Sequence, residues 1–461
     1  MAMQDSSKTE LFETMPIPKA VLELSVPMVL SAMVTVLYNL ADTYFVGMLN
    51  DPIQNAAVTL AFPVMLAFYA VNNLFGIGTS SVMSRSLGAG ACEKVRTASA
   101  CGFYGALCSG VLFSVLCTVF HAPLLHLLGA DDATWQTTSE YMFWTVTCGA
   151  APAILNAVQG QMVRSEGSAL HASIGTMSGC LLNIALDPVF ILPWGLNLGA
   201  AGAGLATFLS NCVAVGYFLV LTRVKRGRTF LCLSPRRLRM VNREILHSIL
   251  AVGVPAAIQN LLNVTGTALL TNFSASYGAA SVAAMGIAQK IHSVPIQVVM
   301  GFSSGLMPLV SYNYTCGNRT RMKQSIRFAA SVMVPSMLLV SLCCWLGAGK
   351  LMGFFMENGA IVSLGVPLLR GLCLAPTFLC IDFLGVNVFN ALGMGRKSLL
   401  FALLRKIVLE IPLLVGLNAL FGLTGLAYAQ PAAELILAAV AVCMLRRIFR
   451  RSPDIPRPGP A

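Results

Sequence analysis

Long apolar runs alternate with short polar ones along the whole chain. The runs reach about 20 residues or more, the length that crosses the hydrocarbon of a bilayer. Helices of a soluble core stop after 8–20 residues, with a polar face and caps. Twelve spans are predicted, with cores near 20–46, 56–82, 96–119, 139–162, 169–192, 200–222, 245–273, 281–308, 326–347, 363–390, 399–420 and 424–446. The expected fold class is an all-α polytopic membrane protein, with 12 transmembrane helices in two pseudo-symmetric six-helix bundles.

Composition agrees with this pattern. The 461 residues are 56% hydrophobic and 10% charged, against about 25% charged in soluble domains. The net charge of +12 would suggest nucleic acid in a soluble protein. Here the basic residues gather in alternate loops, where they set topology and meet anionic lipid, so no nucleic-acid partner is expected. Arg85, Lys94 and Arg96 lie between spans 2 and 3, and Arg164 between 4 and 5. Eight more, from Arg223 through Arg228 to Arg243, lie between spans 6 and 7. The opposite loops, such as "NDPIQN" and "PWGLNLG", carry no Lys or Arg, and Lys350 is the one clear basic residue on that side. The positive-inside rule then makes both termini cytoplasmic in a multi-pass protein of the cell inner (plasma) membrane. The polar start "MAMQDSSKTELFETMPIPKA" reads as a cytoplasmic tail rather than a signal peptide. Fourteen cysteines are scattered, without a CxxC pair, which favours buried reduced thiols over a disulfide framework or a zinc site.

The chain resembles itself. "ELSVPMVLSAM" from Glu23 aligns with "ILAVGVPAAIQN" from Ile249 on Val26–Pro27 and Val254–Pro255. "NLGAAGAGLAT" from Asn197 aligns with "LFGLTGLAYAQ" from Leu420, so Gly199, Gly202 and Ala206 meet Gly422, Gly425 and Ala429. Both alignments give an offset near 225 residues. The expected organisation is a cytoplasmic N-terminal tail (1–19), a six-helix bundle (20–222), a basic cytoplasmic linker acting as hinge (223–243), a second six-helix bundle (244–446) and a cytoplasmic tail (447–461). Internal repeats of this kind are typical of transporters, with sites near mid-membrane.

Ionisable side chains inside spans are functional candidates by default, because inserting each costs a few kcal/mol. Asp42, Asp187, Lys290, Asp382, Glu410 and Glu434 qualify. Asn183 and Asp187 are four residues apart and share one helical face. Pro188 has no N–H, so the Ile184 carbonyl loses its helical partner. An amide, a carboxylate and a free carbonyl are expected to cluster, which suits a hard cation such as Na⁺; the carboxylate could equally hold a proton. A kinked helix with an Asn–Asp pair used only for packing is the plainer alternative. Asp42 falls near the outer end of span 1, at a depth similar to that of Asp187, with Tyr38 and Asn39 beside it and Tyr141 and Thr207 as further neighbours. In the second half Gln259, Asn260 and Gln289 add polar atoms. Glu410 is the counterpart of Asp187 at an offset of 223. Lys290 is expected to pair with Asp382 or Glu410 as a structural ion pair or to meet substrate, and Glu434 reads as a helix-packing residue.

"RSEGSALHASIGTMSGCLLNIALDPVFI" followed by "GAAGAGLAT", together with "YNLADTYFVG", "GIGTSSVMSRSLGAG" and "GFSSGLMPLVSYNYTCGNRTRMKQSIRFA", resembles the multidrug and toxic compound extrusion (MATE) transporters over nearly the whole chain. The likeness is greatest to the bacterial branch that exports small cationic drugs. The resemblance implies two six-helix bundles, alternating access, and efflux of organic cations driven by inward Na⁺ or H⁺. In prokaryotic members an Asp of span 1 and an Asn/Asp pair of span 5 form an ion site; the matching positions are Asp42, Asn183 and Asp187. Some members use acids in spans 7 and 10; here Asp382 stands in span 10, but Gln259 stands where the span 7 acid would be.

The expected function is therefore a monomeric ion-coupled antiporter, not an enzyme. Its partners would be organic cations and membrane lipid, and it would carry no cofactor other than Na⁺ or H⁺ as coupling ion. A flippase for lipid-linked precursors would want a basic cavity to meet pyrophosphate, whereas the cavity candidates here are acidic. An intramembrane enzyme would want a motif such as HExxH, and direct ATP drive a GxxxxGK[ST] loop; neither occurs. A channel would favour symmetric rings from an oligomer.

Overall fold

The computed structural model describes residues 6–49, 51–227, 229–355 and 359–451. Arg228 of the predicted basic cluster and parts of both predicted tails, residues 1–5 and 452–461, lie outside the described residues. The helices in order are α1 (Ser6–Glu13), α2 (Ile17–Gly47), α3 (Pro52–Gly88), α4 (Cys92–Val119), α5 (His121–Leu128), α6 (Trp135–Met142), α7 (Ala150–Ser165), α8 (Ala169–Ile191) and α9 (Gly199–Val224). They continue with α10 (Arg243–Ala275), α11 (Ala279–Thr315), α12 (Arg319–Leu346), α13 (Ala348–Phe355), α14 (Gly359–Leu372), α15 (Ala375–Ala391), α16 (Gly395–Leu403) and α17 (Ile411–Arg451). Two wider π turns interrupt the series, Phe143–Cys148 between α6 and α7 and Leu404–Glu410 between α16 and α17.

Among the described residues nine helical stretches are long and apolar enough to cross a membrane, α14 with α15 counting as one. A tenth crossing, α6 through α7, is bent by 46°. The last two lie between Gly395 and Arg451. There Gly422 (φ 59°, ψ −141°) breaks α17, and Arg405, Lys406 and Glu410 dilute the apolar character of the preceding span. The twelve crossings sit close to the predicted cores. Sequence patterning did not anticipate the break of span 4 at its π turn or the interruption of span 10 at Cys373–Leu374.

Backbone conformation repeats between the halves. Gly90, Gly167 and Gly199 have φ of 71°, 86° and 56°; Gly317, Gly393 and Gly422 have 86°, 73° and 59°. These pairs are spaced 227, 226 and 223 residues apart along the chain. Left-handed φ costs an L side chain roughly 1–2 kcal/mol, so glycine recurs wherever the duplicated backbone needs it.

Packing divides the chain into two compact units, and the boundaries fall inside α2 and α10 rather than at the basic linker. The first unit contains Leu30–Ala257; the second contains Glu10–Val29 and the chain from Ile258. In the second unit Gly301 and Gly305 of α11 lie against the backbone of α2, where a Cβ at Gly305 would meet the Leu24 carbonyl at 2.6 Å. In the first unit Gly78 of α3 lies in the same way against the Ile249 carbonyl of α10. Close backbone approach through small residues holds helices together where lipid gives no hydrophobic drive.

Two expectations change. The polar start is not simply a tail, because α1 docks on the second unit. Asn313 Nδ2 and Arg321 Nε donate to the Phe12 carbonyl at 3.1 and 2.7 Å, and Phe12 stacks on Tyr312 with ring centroids 4.8 Å apart. The linker, for its part, is fastened along the first unit. Glu166 accepts from the Thr229 hydroxyl (2.8 Å) and the Phe230 N–H (2.9 Å), Ser99 Oγ accepts from the Cys232 N–H (3.0 Å), and the Tyr104 hydroxyl donates to the Leu233 carbonyl (2.9 Å). Arg237 closes the series on Glu93, whose carboxylate raises the Arg237 guanidinium above its ordinary range.

Candidate functional site

Buried positions of α8 fall at Gly175, Gly179, Asn183, Asp187 and Ile191, four residues apart and therefore on one stripe. The glycines bring α9 close: a Cβ at Gly179 would sit 3.1 Å from the Ser210 carbonyl. That approach sets Asn183 against Thr207 of α9. With the amide oriented to satisfy both ends, its NH₂ donates to Asp187 Oδ2 at 3.0 Å, and its oxygen accepts from the Thr207 N–H (3.0 Å) and hydroxyl (3.3 Å). The network continues through Asn211, which donates to the Thr207 carbonyl at 2.9 Å and accepts from Asn156 Nδ2 at 2.9 Å. The amide oxygen thus turns away from Asp187. The expected cluster of three oxygens becomes a donor–acceptor pair, because a carboxylate is best satisfied by an N–H.

Asp187 is fully buried and its Oδ1 has no hydrogen-bond partner. Asp42 of α2 is half-buried, and its Oδ1 is likewise enclosed without a partner. The two carboxyls are within electrostatic reach of each other and of Tyr141, and Tyr38 is in reach of Asp42 and the Thr207 hydroxyl. Tyr69 of α3 joins the group, a neighbour the sequence did not single out. Asn39 is exposed, its carbonyl accepting from the Thr43 hydroxyl at 2.9 Å. Beside Asn183 lies a cavity of about 50 Å³ whose lining includes Tyr38, Asn156 and Thr207. That volume suits a bare ion or one or two waters, since a water needs at least about 10–15 Å³ on this measure; it is far too small for a drug. Among the described residues no three His, Cys, Asp or Glu side chains converge as a transition-metal site would require.

The remaining candidates lie in the second unit. Gln259 and Asn260 are half-buried, and Gln289 Nε2 is enclosed without a partner. Glu410 pairs with Lys406, four residues earlier, at 2.7 Å, and Glu434 pairs with Arg405, whose Nε and Nη2 approach its Oε1 at 2.7 and 2.5 Å. These pairs replace two expectations. Glu410 takes its cation from its own helical face and Lys290 is exposed, while Glu434 is an ion-pair residue rather than packing. Asp382 is buried beside Glu434, and both its oxygens lack a donor. Sequence reasoning passed over Arg405 and Lys406. Their signal was present, as two cations inside the predicted span 399–420, four and five residues before an acid.

The offset of 223 aligns Asn183–Asp187 with Lys406–Glu410. Both are i, i+4 donor–carboxylate pairs at 3.0 and 2.7 Å. In the second unit the donor is a full cation; in the first it is a neutral amide. Lys406 and Glu410 lie within a π turn, Leu404–Glu410. A turn of this kind recurs at functional sites.

Twelve crossings in two repeats, with two neighbouring carboxyls set within one unit, define a polytopic, internally duplicated transporter. The sequence pattern of the MatE family matches the chain twice, over residues 27–189 and 255–415, so each match begins at the proline of one repeat. The chain belongs to the MatE family and is a multi-pass protein of the cell membrane. It is 33% identical over 437 residues to the multidrug export protein MepA of Staphylococcus saprophyticus, covering 94% of each chain. It is 30% identical over 436 residues to the MepA of Staphylococcus aureus strain MRSA252, again over 94% of each. Among solved structures it resembles an outward-facing multidrug resistance MATE family transporter of the MOP superfamily, with TM-score 0.91, 26% identity and coverage of 96% of this chain and 98% of that one. It also resembles a MOP superfamily transporter from Pyrococcus furiosus, with TM-score 0.89, 25% identity and the same coverage.

Proposed function

We propose that the protein is a secondary antiporter that exports amphipathic organic cations in exchange for inward Na⁺ or H⁺ by alternating access. Asp42 and Asp187 hold the coupling ion, and both termini are cytoplasmic. The observation that carries this reading is the pair of neighbouring carboxyls, each with an enclosed oxygen that has no donor. Leaving a buried polar atom unpaired costs about 1–3 kcal/mol, and more for a charged group. Among the described residues neither acid forms an ion pair. The site is short of positive charge, and a monovalent cation or a proton supplies it.

The second unit supports the assignment by contrast. Lys406 stands where Asn183 stands in the first half, so Glu410 carries its own counter-ion. The Asn183–Asp187 pair has no cation of its own and has to take its charge from outside. Substrate class follows from the Asp42–Asp187 carboxyl pair and from the multidrug export named for the staphylococcal relatives. Binding of the coupling ion shifts the balance between inward- and outward-open states by its differential affinity for them.

The test is efflux of a fluorescent organic cation such as ethidium from membrane vesicles. Asp42→Asn and Asp187→Asn are each expected to abolish ion-driven efflux while purified yield and melting temperature stay near wild type. Full transport in both variants would remove the site.

A further inference from the structure

A second, open cavity of the first unit is separate from the carboxylate pair. It has a volume of about 920 Å³ and lies among α4, the end of α9 and the fastened linker. Four arginines surround it: Arg96, Arg223, Arg226 and Arg237. Glu93 pairs with both Arg96 (3.4 Å) and Arg237. Among the described residues Arg223 and Arg226 form no ion pair with a carboxylate, and both are exposed. The wall on the membrane side is apolar, with Phe103 and Val220 on it, and Val220 is 61% exposed.

Glu93 neutralises Arg96 and Arg237 in part, whereas Arg223 and Arg226 repel each other unless an anion lies between them. Arginine presents a planar fork that matches phosphate geometry. The position is where α9 changes from lipid-facing Val220 to charged Arg223, the level at which headgroups meet a helix end. The cavity is also built rather than incidental. Its linker wall is held to α4 by Ser99 and Tyr104, and to Glu166 through Thr229 and Phe230. Its volume falls within the roughly 300–1,000 Å³ of sites that enclose small ligands.

We propose that this cavity binds one anionic phospholipid of the adjoining leaflet. The phosphodiester lies between Arg223, Arg226 and Arg237, and the acyl chains run along Val220 and Phe103. Inorganic phosphate shares the charge but not the apolar contact, and a zwitterionic lipid shares the chains but not the net charge. A basic juxtamembrane residue contributes about 1 kcal/mol toward an anionic surface. Losing Arg223 and Arg226 together therefore weakens binding about 30-fold.

The experiment titrates dioleoylphosphatidylglycerol into the purified full-length protein in neutral detergent and reads the melting temperature. Parallel arms use dioleoylphosphatidylcholine and inorganic phosphate. Wild type is expected to gain stability only with the phosphatidylglycerol. Arg223→Gln/Arg226→Gln should need about 30-fold more of it, and Arg223→Lys/Arg226→Lys should recover most of the loss. Arg396→Gln/Lys397→Gln, a pair from another basic loop, should bind as wild type does. Equal stabilisation of wild type and Arg223→Gln/Arg226→Gln would overturn the proposal. So would stabilisation by phosphate alone, or an equal loss in the Arg396→Gln/Lys397→Gln control.

Discussion

Replacing Arg405 with Met removes the guanidinium and keeps much of its apolar volume. In the native protein its Nε and Nη2 converge on Glu434 Oε1 at 2.7 and 2.5 Å, and the side chains are 7% and 0% exposed. Without the arginine, Glu434 is a fully buried carboxylate next to Asp382, whose two oxygens already lack donors. Removing one partner of a buried pair typically costs about 3–5 kcal/mol, because an uncompensated charge stays behind. In a unit of about 200 residues that corresponds to a fall in melting temperature of about 6–20 °C. The double variant Arg405→Met/Glu434→Gln removes both charges and should lie well above Arg405→Met, since replacing a whole buried pair is often close to neutral. Thermal melting of the four proteins in one detergent, read by fluorescence-detected size exclusion, completes the double-mutant cycle. A melting temperature of Arg405→Met within about 2 °C of wild type, or a double variant that loses the sum of the two single losses, would show that the pair is not coupled in this way.

Two further substitutions probe the backbone and the linker. Gly199→Ala and Gly422→Ala both place a side chain at left-handed φ, for about 1–2 kcal/mol of strain each. Gly199→Ala should lose more in thermal melting, because its Cβ would come within 2.6 Å of Gln54 Oε1, which accepts from the Ala200 N–H, whereas at Gly422 the nearest atom is 3.6 Å away. Glu166→Ala removes the acceptor of the Thr229 hydroxyl and the Phe230 N–H. Limited trypsin digestion should then cut the linker at least about tenfold faster, the equivalent of about 1.4 kcal/mol of local stability.

Fold class was legible in the sequence because bilayer thickness imposes one strong period on every span. The repeat was legible where glycine is required, at Gly199 and Gly422, since their positive φ leaves few alternatives. Places where a span departs from a regular helix were not legible. The π turns at Phe143–Cys148 and Leu404–Glu410 have no local composition of their own. The docking of α1 on Tyr312, Asn313 and Arg321 depends on residues some 300 positions away. Within the candidate site, the shared face of Asn183 and Asp187 followed from helical spacing, whereas the direction of the Asn183 amide depended on Thr207 of a neighbouring helix. Arg405 and Lys406 show that a rule applied to acids alone overlooks the cations that neutralise them.

In the proposed cycle Asp42 and Asp187 couple ion entry to substrate exit. Purified protein in liposomes loaded with an organic cation separates coupling from substrate passage. Wild type should move the cation against its gradient when an inward Na⁺ or pH gradient is imposed, and the effective gradient identifies the ion. Asp187→Asn should lose that response while still exchanging labelled for unlabelled cation across the membrane. Gradient-driven accumulation that persists in Asp187→Asn at the wild-type level would rule out a coupling role for this carboxyl.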